Sequence, residues 1–363
     1  MSPLLSFRTV GAPSATKVGW ILHGLLGNGR NWNSFAINLI NYLGSDYKFY
    51  LLDLRHHGLS SRNSSFIPPD TIDNCVNDLL MLSQETNIWP TTMIGHSFGG
   101  KVLMRLVQRQ DDIEKYVPTS SSSIPPNIGA GNSANTNIVS SNVNVFVLDS
   151  MPGISQDHLR PETTVSSTVP LSLSTLNQQQ QSSSYTTTSN FVDRHPKDVM
   201  SKVLQLIQKM PTPLPSRKII RDTFLNAGMP DKLATWMASN VSMESHGTNN
   251  PSHVPSSTTF RWAFNPEGAS NLYNSHMETD TWSILTEGPK NPHIHIHLLK
   301  ASRSHRWNEP DSIEKLQFIE KQNLSNVHIH NVAGGHWLHV DNPKGVMEII
   351  SHGLNVSSKH KLQ

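Results

Sequence analysis

Short apolar runs alternating with amphipathic stretches are the feature that most restricts what this chain can fold into. KVGWILHG (17–24), KFYLLDL (48–54), TTMIGHS (91–97), VNVFVLD (143–149), HIHIHLLKA (293–301) and NVHIHNV (326–332) read as buried strands. NWNSFAINLINYL (31–43), TIDNCVNDLLMLSQ (71–84), FGGKVLMRLVQR (98–109) and PKGVMEIISHGL (343–354) read as helices set among them. Parallel neighbours need a crossover connection, so this alternation predicts an α/β fold with a mostly parallel central sheet and helices on both faces. The opening MSPLLSFRTVG reads as the lead into a first strand.

Two stretches break the rhythm. Residues 119–144 are rich in Ser, Asn, Gly and Pro and too polar to bury a core, so they read as a low-complexity insertion. They follow a helix and precede a strand, hence lie at the N-terminal edge of the sheet, away from the C-terminal edge where such sheets bind ligands. Residues 163–190, with NQQQQSSSYTTTSN, read the same way. Within 197–240, KDVMSKVLQLIQKM, RKIIRDTFLNAG and DKLATWMASN are helical with no strand between them, which predicts a helical cap. The expected organisation is a core over 1–150, a cap over 151–290 and the rest of the core over 291–363.

The charge pattern narrows the function classes. A net charge of +2 with scattered Lys and Arg gives no footprint for nucleic acid. One cysteine, Cys75, allows no intrachain disulfide and fits a reducing compartment. No apolar run nears the roughly 20 residues of a membrane span, and no targeting segment is visible. The expectation is an intracellular protein, cytoplasmic or mitochondrial, with a small-molecule partner and an oligomeric state that the sequence leaves open.

IGHSFGG carries the chemistry: Gly95, Ser97 and Gly99 match G-x-S-x-G at a strand-to-helix joint. A chance match in a Ser- and Gly-rich chain is the competing reading, and the strand before it and helix after it argue against chance. The turn would hold the Ser97 hydroxyl at the sheet edge, with the Phe98 N–H facing the same space. A serine needs a base, and the base an orienting acid. Among 19 histidines, His336 in NVAGGHWLHVDNP follows the last strand, with Gly334 and Gly335 bringing it near the sheet edge; His339 is its competitor. For the acid, Asp149 ends the strand after the nucleophile strand, while Glu309 and Asp311 come late and look like helix-start residues. In ILHGLLGNGRNW, Gly24 would free the backbone so that the Leu25 N–H joins that of Phe98 as an oxyanion hole, and His23 reads as shaping the loop.

HGLLGNGRNW, LDLRHHGLSS, DLLMLSQ, IGHSFGGKVLM, VFVLDSMPG and VAGGHWLHVDNP occur in an order that resembles the α/β-hydrolase superfamily. More narrowly, the chain is similar to the group holding YbfF-type esterases, abhydrolase-domain 11 proteins and ethanol acetyltransferase. The resemblance covers roughly 1–118, 143–153 and 293–354, and the cap only loosely. It implies a serine hydrolase of esters or thioesters, with the acid often on the strand after the nucleophile, as at Asp149. It implies no cofactor and no metal. An alcohol O-acyltransferase with the same triad is the rival, and from another class a small-molecule receptor, or a scaffold with a decayed site.

Weaker features remain. His293, His295 and His297 share one strand face, as do His328 and His330, and two such sets could ligate zinc, though buried structural histidines are the commoner case. Arg55, His56 and His57 lie at the catalytic edge and suit loop stabilisation. Trp236, Phe260, Trp262 and Phe264 could line an acyl pocket or simply form core.

Overall fold

The computed structural model describes residues 4–116, 142–154, 196–245 and 258–356. Both low-complexity tracts read from the sequence lie outside these residues, apart from 142–144. The chain starts with β1 (Phe7–Gly11), β2 (Lys17–Leu22), α1 (Asn33–Leu43), β3 (Tyr47–Leu52) and α2 (Ile72–Thr86). It continues through β4 (Thr92–His96), α3 (Phe98–Gln108), α4 (Gln110–Tyr116) and β5 (Val143–Leu148). An excursion follows: α5 (Pro196–Lys209), α6 (Arg217–Asn226), α7 (Asp231–Ser239), β6 (Val241–Ser245), β7 (Thr258–Trp262), α8 (Pro266–Glu278) and α9 (Ser283–Thr286). The chain rejoins the sheet with β8 (Ile294–Ala301), α10 (Pro310–Gln322), β9 (Val327–Val332), α11 (Leu338–Asp341) and α12 (Pro343–Gly353).

Seven strands form one sheet in the order β1-β3-β2-β4-β5-β8-β9. Only β1 runs against its neighbour, with Phe7 opposite Leu52; the other pairs are parallel. The central strands are apolar on both sides because helices cover both sides. Trp20, Leu22, Met93, Val145, Val147, Ile296 and Leu298 pack on one face. Ile21, Ile94, Phe146, Leu148 and Leu299 pack on the other, with Phe35 and Leu39 of α1 and Val346 and Ile350 of α12. Period-two alternation therefore divides each strand between two cores.

The sequence expectation of an α/β hydrolase-type sheet holds. The excursion differs from a purely helical cap: β6 and β7 pair antiparallel, Met243 opposite Phe260, and α8 adds a helix not expected from the sequence. Asn265 caps α8 by accepting from the Glu267 and Gly268 N–H groups, with Pro266 in the first turn, a strong start signal. No described helix is long and apolar enough to cross a membrane.

Candidate active site

β4 ends at His96 and α3 begins at Phe98, so the whole turn is Ser97. Its backbone sits at φ 52°, ψ −114°, a strained conformation for a residue with a side chain. Close packing around it requires glycine: a Cβ on Gly95 would lie 2.6 Å from the Gly99 carbonyl oxygen, and one on Gly99 2.7 Å from that of His23. The Ser97 N–H is tied to Leu148 O at 3.0 Å, joining the turn to β5. Phe98 is the first residue of α3, so its N–H has no intrahelical acceptor and stands at the positive end of the helix.

Asp149 follows β5 directly, fully buried, at φ 43°. Its Oδ2 accepts the His336 Nδ1–H at 2.8 Å, and its Oδ1 accepts the Trp307 indole N–H at 2.6 Å and the Ala301 N–H at 3.1 Å. Burial pushes this carboxyl up, but the hydrogen bond and charge of His336, the Trp307 donor and Arg306 outweigh it and hold the group below its ordinary value. With Nδ1 donating to Asp149, the ring carries its lone pair on Nε2. Asp311, by contrast, pairs with Lys315 in the first turn of α10, and Glu309 is the residue that starts that helix. His339 is buried and stacks on Trp32 at 3.8 Å; burial pulls it down to about 3.

His96 brings the His336 loop to the elbow. Its Nε2–H donates to His336 O at 2.8 Å, and the two rings lie 4.6 Å apart. A Cβ on Gly24 would lie 2.9 Å from His96 Nδ1 and 3.5 Å from Ser97 Cβ, so the backbone before Leu25 also abuts the elbow. Neither the Leu25 nor the Phe98 N–H has an acceptor among the described residues. His23 donates through Nδ1 to Gly24 O and accepts the Leu54 N–H at Nε2 (3.0 Å), so both its nitrogens are committed. His57 does the same between Arg55 O and the Leu26 N–H, and Arg55 forks onto buried Asp78 at 2.7 and 2.8 Å. These residues fasten the loops after β2 and β3.

Residues 21–213, just over half the chain, match the family model described as alpha/beta hydrolase fold. The chain belongs to the α/β hydrolase family. A probable alcohol acetyltransferase of Saccharomyces cerevisiae is 41% identical over 93 residues, 26% of each chain. The sn-1-specific diacylglycerol lipase ABHD11 of Mus musculus is 31% identical over 114 residues, 31% of this chain and 35% of the relative. The matched stretch thus spans only about a quarter to a third of these relatives. A solved marine microorganism esterase, 21% identical, shares the fold with a TM-score of 0.60, covering 98% of this chain and 100% of that one. This α/β hydrolase therefore has sequence relatives named as an alcohol acetyltransferase, a diacylglycerol lipase and an esterase.

Three contributors were not read from the sequence. Trp307 lies in the stretch after β8, and its indole supplies a donor to Asp149. His96, inside the G-x-S-x-G motif itself, links the Ser97 turn and the His336 loop. Buried Lys101 donates to Gly153, His276 and Thr279 carbonyls (2.8, 2.8 and 3.1 Å), tying α3 to the loop after Asp149 and to the end of α8. Of these, only His96 and Lys101 carried a signal, their place beside Ser97. Among the described residues no three His, Cys, Asp or Glu side chains group as metal ligands would. The strand histidines stack instead: His297 lies opposite His328, with rings 4.6 Å apart, and meets His330 at 3.2 Å. Trp262 and Phe264 are buried and stacked at 5.2 Å, and Trp236 rests 6.1 Å from Trp337.

Proposed function

We propose that this α/β hydrolase cleaves carboxylic ester or thioester bonds through a Ser97–His336–Asp149 triad and an acyl-enzyme. The observation that carries the reading is the 2.8 Å bond from His336 Nδ1 to buried Asp149, on a loop held against a strained Ser97 turn. His336 Nε2 takes the Ser97 proton as Oγ attacks the carbonyl carbon. The developing oxyanion accepts from the Leu25 and Phe98 N–H groups, each donor worth about 3–4 kcal/mol in such holes. Collapse expels the alcohol or thiol, which takes the proton from His336. Water, deprotonated by the same imidazole, then attacks the acyl-enzyme and releases the acid. No metal or cofactor enters these steps.

Residues 1–150 and 291–363 would form the core and 151–290 the cap that covers the site. A second reading, transfer of the acyl group to an alcohol in place of water, is favoured by the name of the 41%-identical relative. The test is labelling by a fluorophosphonate probe, expected in the wild type and lost in Ser97→Ala. It is joined by a panel of short p-nitrophenyl esters and acyl thioesters with and without added ethanol. A wild type that neither labels nor cleaves any member would overturn the reading. Ethyl ester as the main product would select the transferase reading.

A further inference from the structure

The residues on both sides of His336 are gripped from elsewhere in the fold. On one side, Asp341 Oδ2 accepts the Gly335 N–H at 2.8 Å. A Cβ on Gly334 would lie 3.3 Å from Asp341 Cβ, so the turn wraps closely around this carboxylate. On the other side, the Trp337 ring lies 6.1 Å from the Trp236 ring and 5.3 Å from Lys232 Nζ. Trp236 and Lys232 are four residues apart on α7, one helical turn, so a single face of that helix meets the loop. The two grips are joined, because Lys232 Nζ also donates to Asp341 Oδ1. Arg303 adds a weaker contact to Asp341 at 3.4 Å.

One carboxylate thus holds the backbone just before His336 with one oxygen and the excursion with the other. We propose that Lys232 and Asp341 are positioning residues, a clasp through which docking of the cap sets the place of His336. The inference rests on reading His336 as the base. A base must lie within about 3 Å of the proton that it removes, so a loop released by even an ångström loses rate and not binding. Lys232 is half exposed, and its pairing with Asp341 weakens as salt screens the two charges.

The test uses the full chain with Lys232→Met, Lys232→Arg and Asp341→Asn, read by ester kinetics and by deuterium uptake over residues 333–341. Lys232→Met is expected to lower kcat about tenfold with KM changed less than about twofold, as misplacement of a base would. Uptake in the loop should rise in parallel, and Lys232→Arg should restore both. Wild-type kcat should fall between low and high salt, while that of Lys232→Met should not. Wild-type kcat in Lys232→Met, or a fall in kcat without increased loop uptake, overturns the clasp. If the wild type shows no ester chemistry at all, the functional reading fails. The uptake comparison then decides the clasp alone: unchanged uptake sinks it, and raised uptake supports it.

Discussion

The Trp307 indole N–H donates at 2.6 Å to Asp149 Oδ1, the carboxylate oxygen that His336 leaves unused. A buried carboxylate keeps its charge only when its lone pairs are satisfied, and here Trp307 holds Asp149 as Asp149 holds His336. Trp307→Phe keeps the ring and removes the donor. A hydrogen bond to a charged group is worth about 1.5–3 kcal/mol, so kcat should fall about tenfold or more. Unchanged ester kinetics in this variant would deny the bond any part in catalysis.

Two of the three carboxylates that compete as the acid, Asp149 and Asp311, should separate sharply. Asp149→Asn leaves the shape but cannot orient His336 as the right tautomer, a change costing about ten-thousandfold in the analogous protease triad. Asp311→Asn removes only an exposed pair with Lys315, worth at most about 1 kcal/mol of stability. Its kcat should match the wild type. Near-equal losses in the two variants would move the acid away from Asp149.

Gly99→Ala tests the packing that holds the elbow. Its Cβ would approach both the His23 and Leu22 carbonyl oxygens, at 2.7 and 2.8 Å, which are backbone atoms with no rotamer to change. Overpacking of this kind costs about 1–3 kcal/mol, read as a lower urea midpoint, with fluorophosphonate labelling of Ser97 reduced as well. A midpoint equal to the wild type would show that β2 gives way freely.

Acid should unfold this protein from the side of its histidines. Burial holds His297 and His339 down to about 3, and His57, His96 and His276 well below the ordinary value for the same leading reason. The unfolded chain takes up these protons near pH 6.5 while the folded one refuses them. Stability is therefore full above pH 6.5 and is lost as pH falls toward 3, by about 1.4 kcal/mol per unit for each such histidine. Melting temperature measured across that window should fall steeply, and less steeply in His297→Leu. A flat profile from pH 7 to 4 would contradict the burial of these rings.

The sequence carries its information locally. A short apolar run marked each central strand, and Gly95, Ser97 and Gly99 between a strand and a helix marked the turn, since those signals depend only on neighbours along the chain. β6, β7 and α8 were not legible in the same way. β6 and β7 are only five residues each, and Met243 stands exposed two residues after buried Val241, so no alternation marks them; the amphipathic signal of α8 is weak beside its capping residues.

Chain order alone placed Ser97, Asp149 and His336 after strands, because strands of a parallel sheet all end at one edge. What only the tertiary structure decided is which groups meet there. His336 reaches Asp149 across 187 residues, Trp307 reaches it across 158, and Lys232 reaches Asp341 across 109. Such partners follow from the strand order β4-β5-β8-β9 and from where α7 comes to rest on the loop after β9. Each is set by packing between distant elements, for which no residue's own neighbours hold a signal.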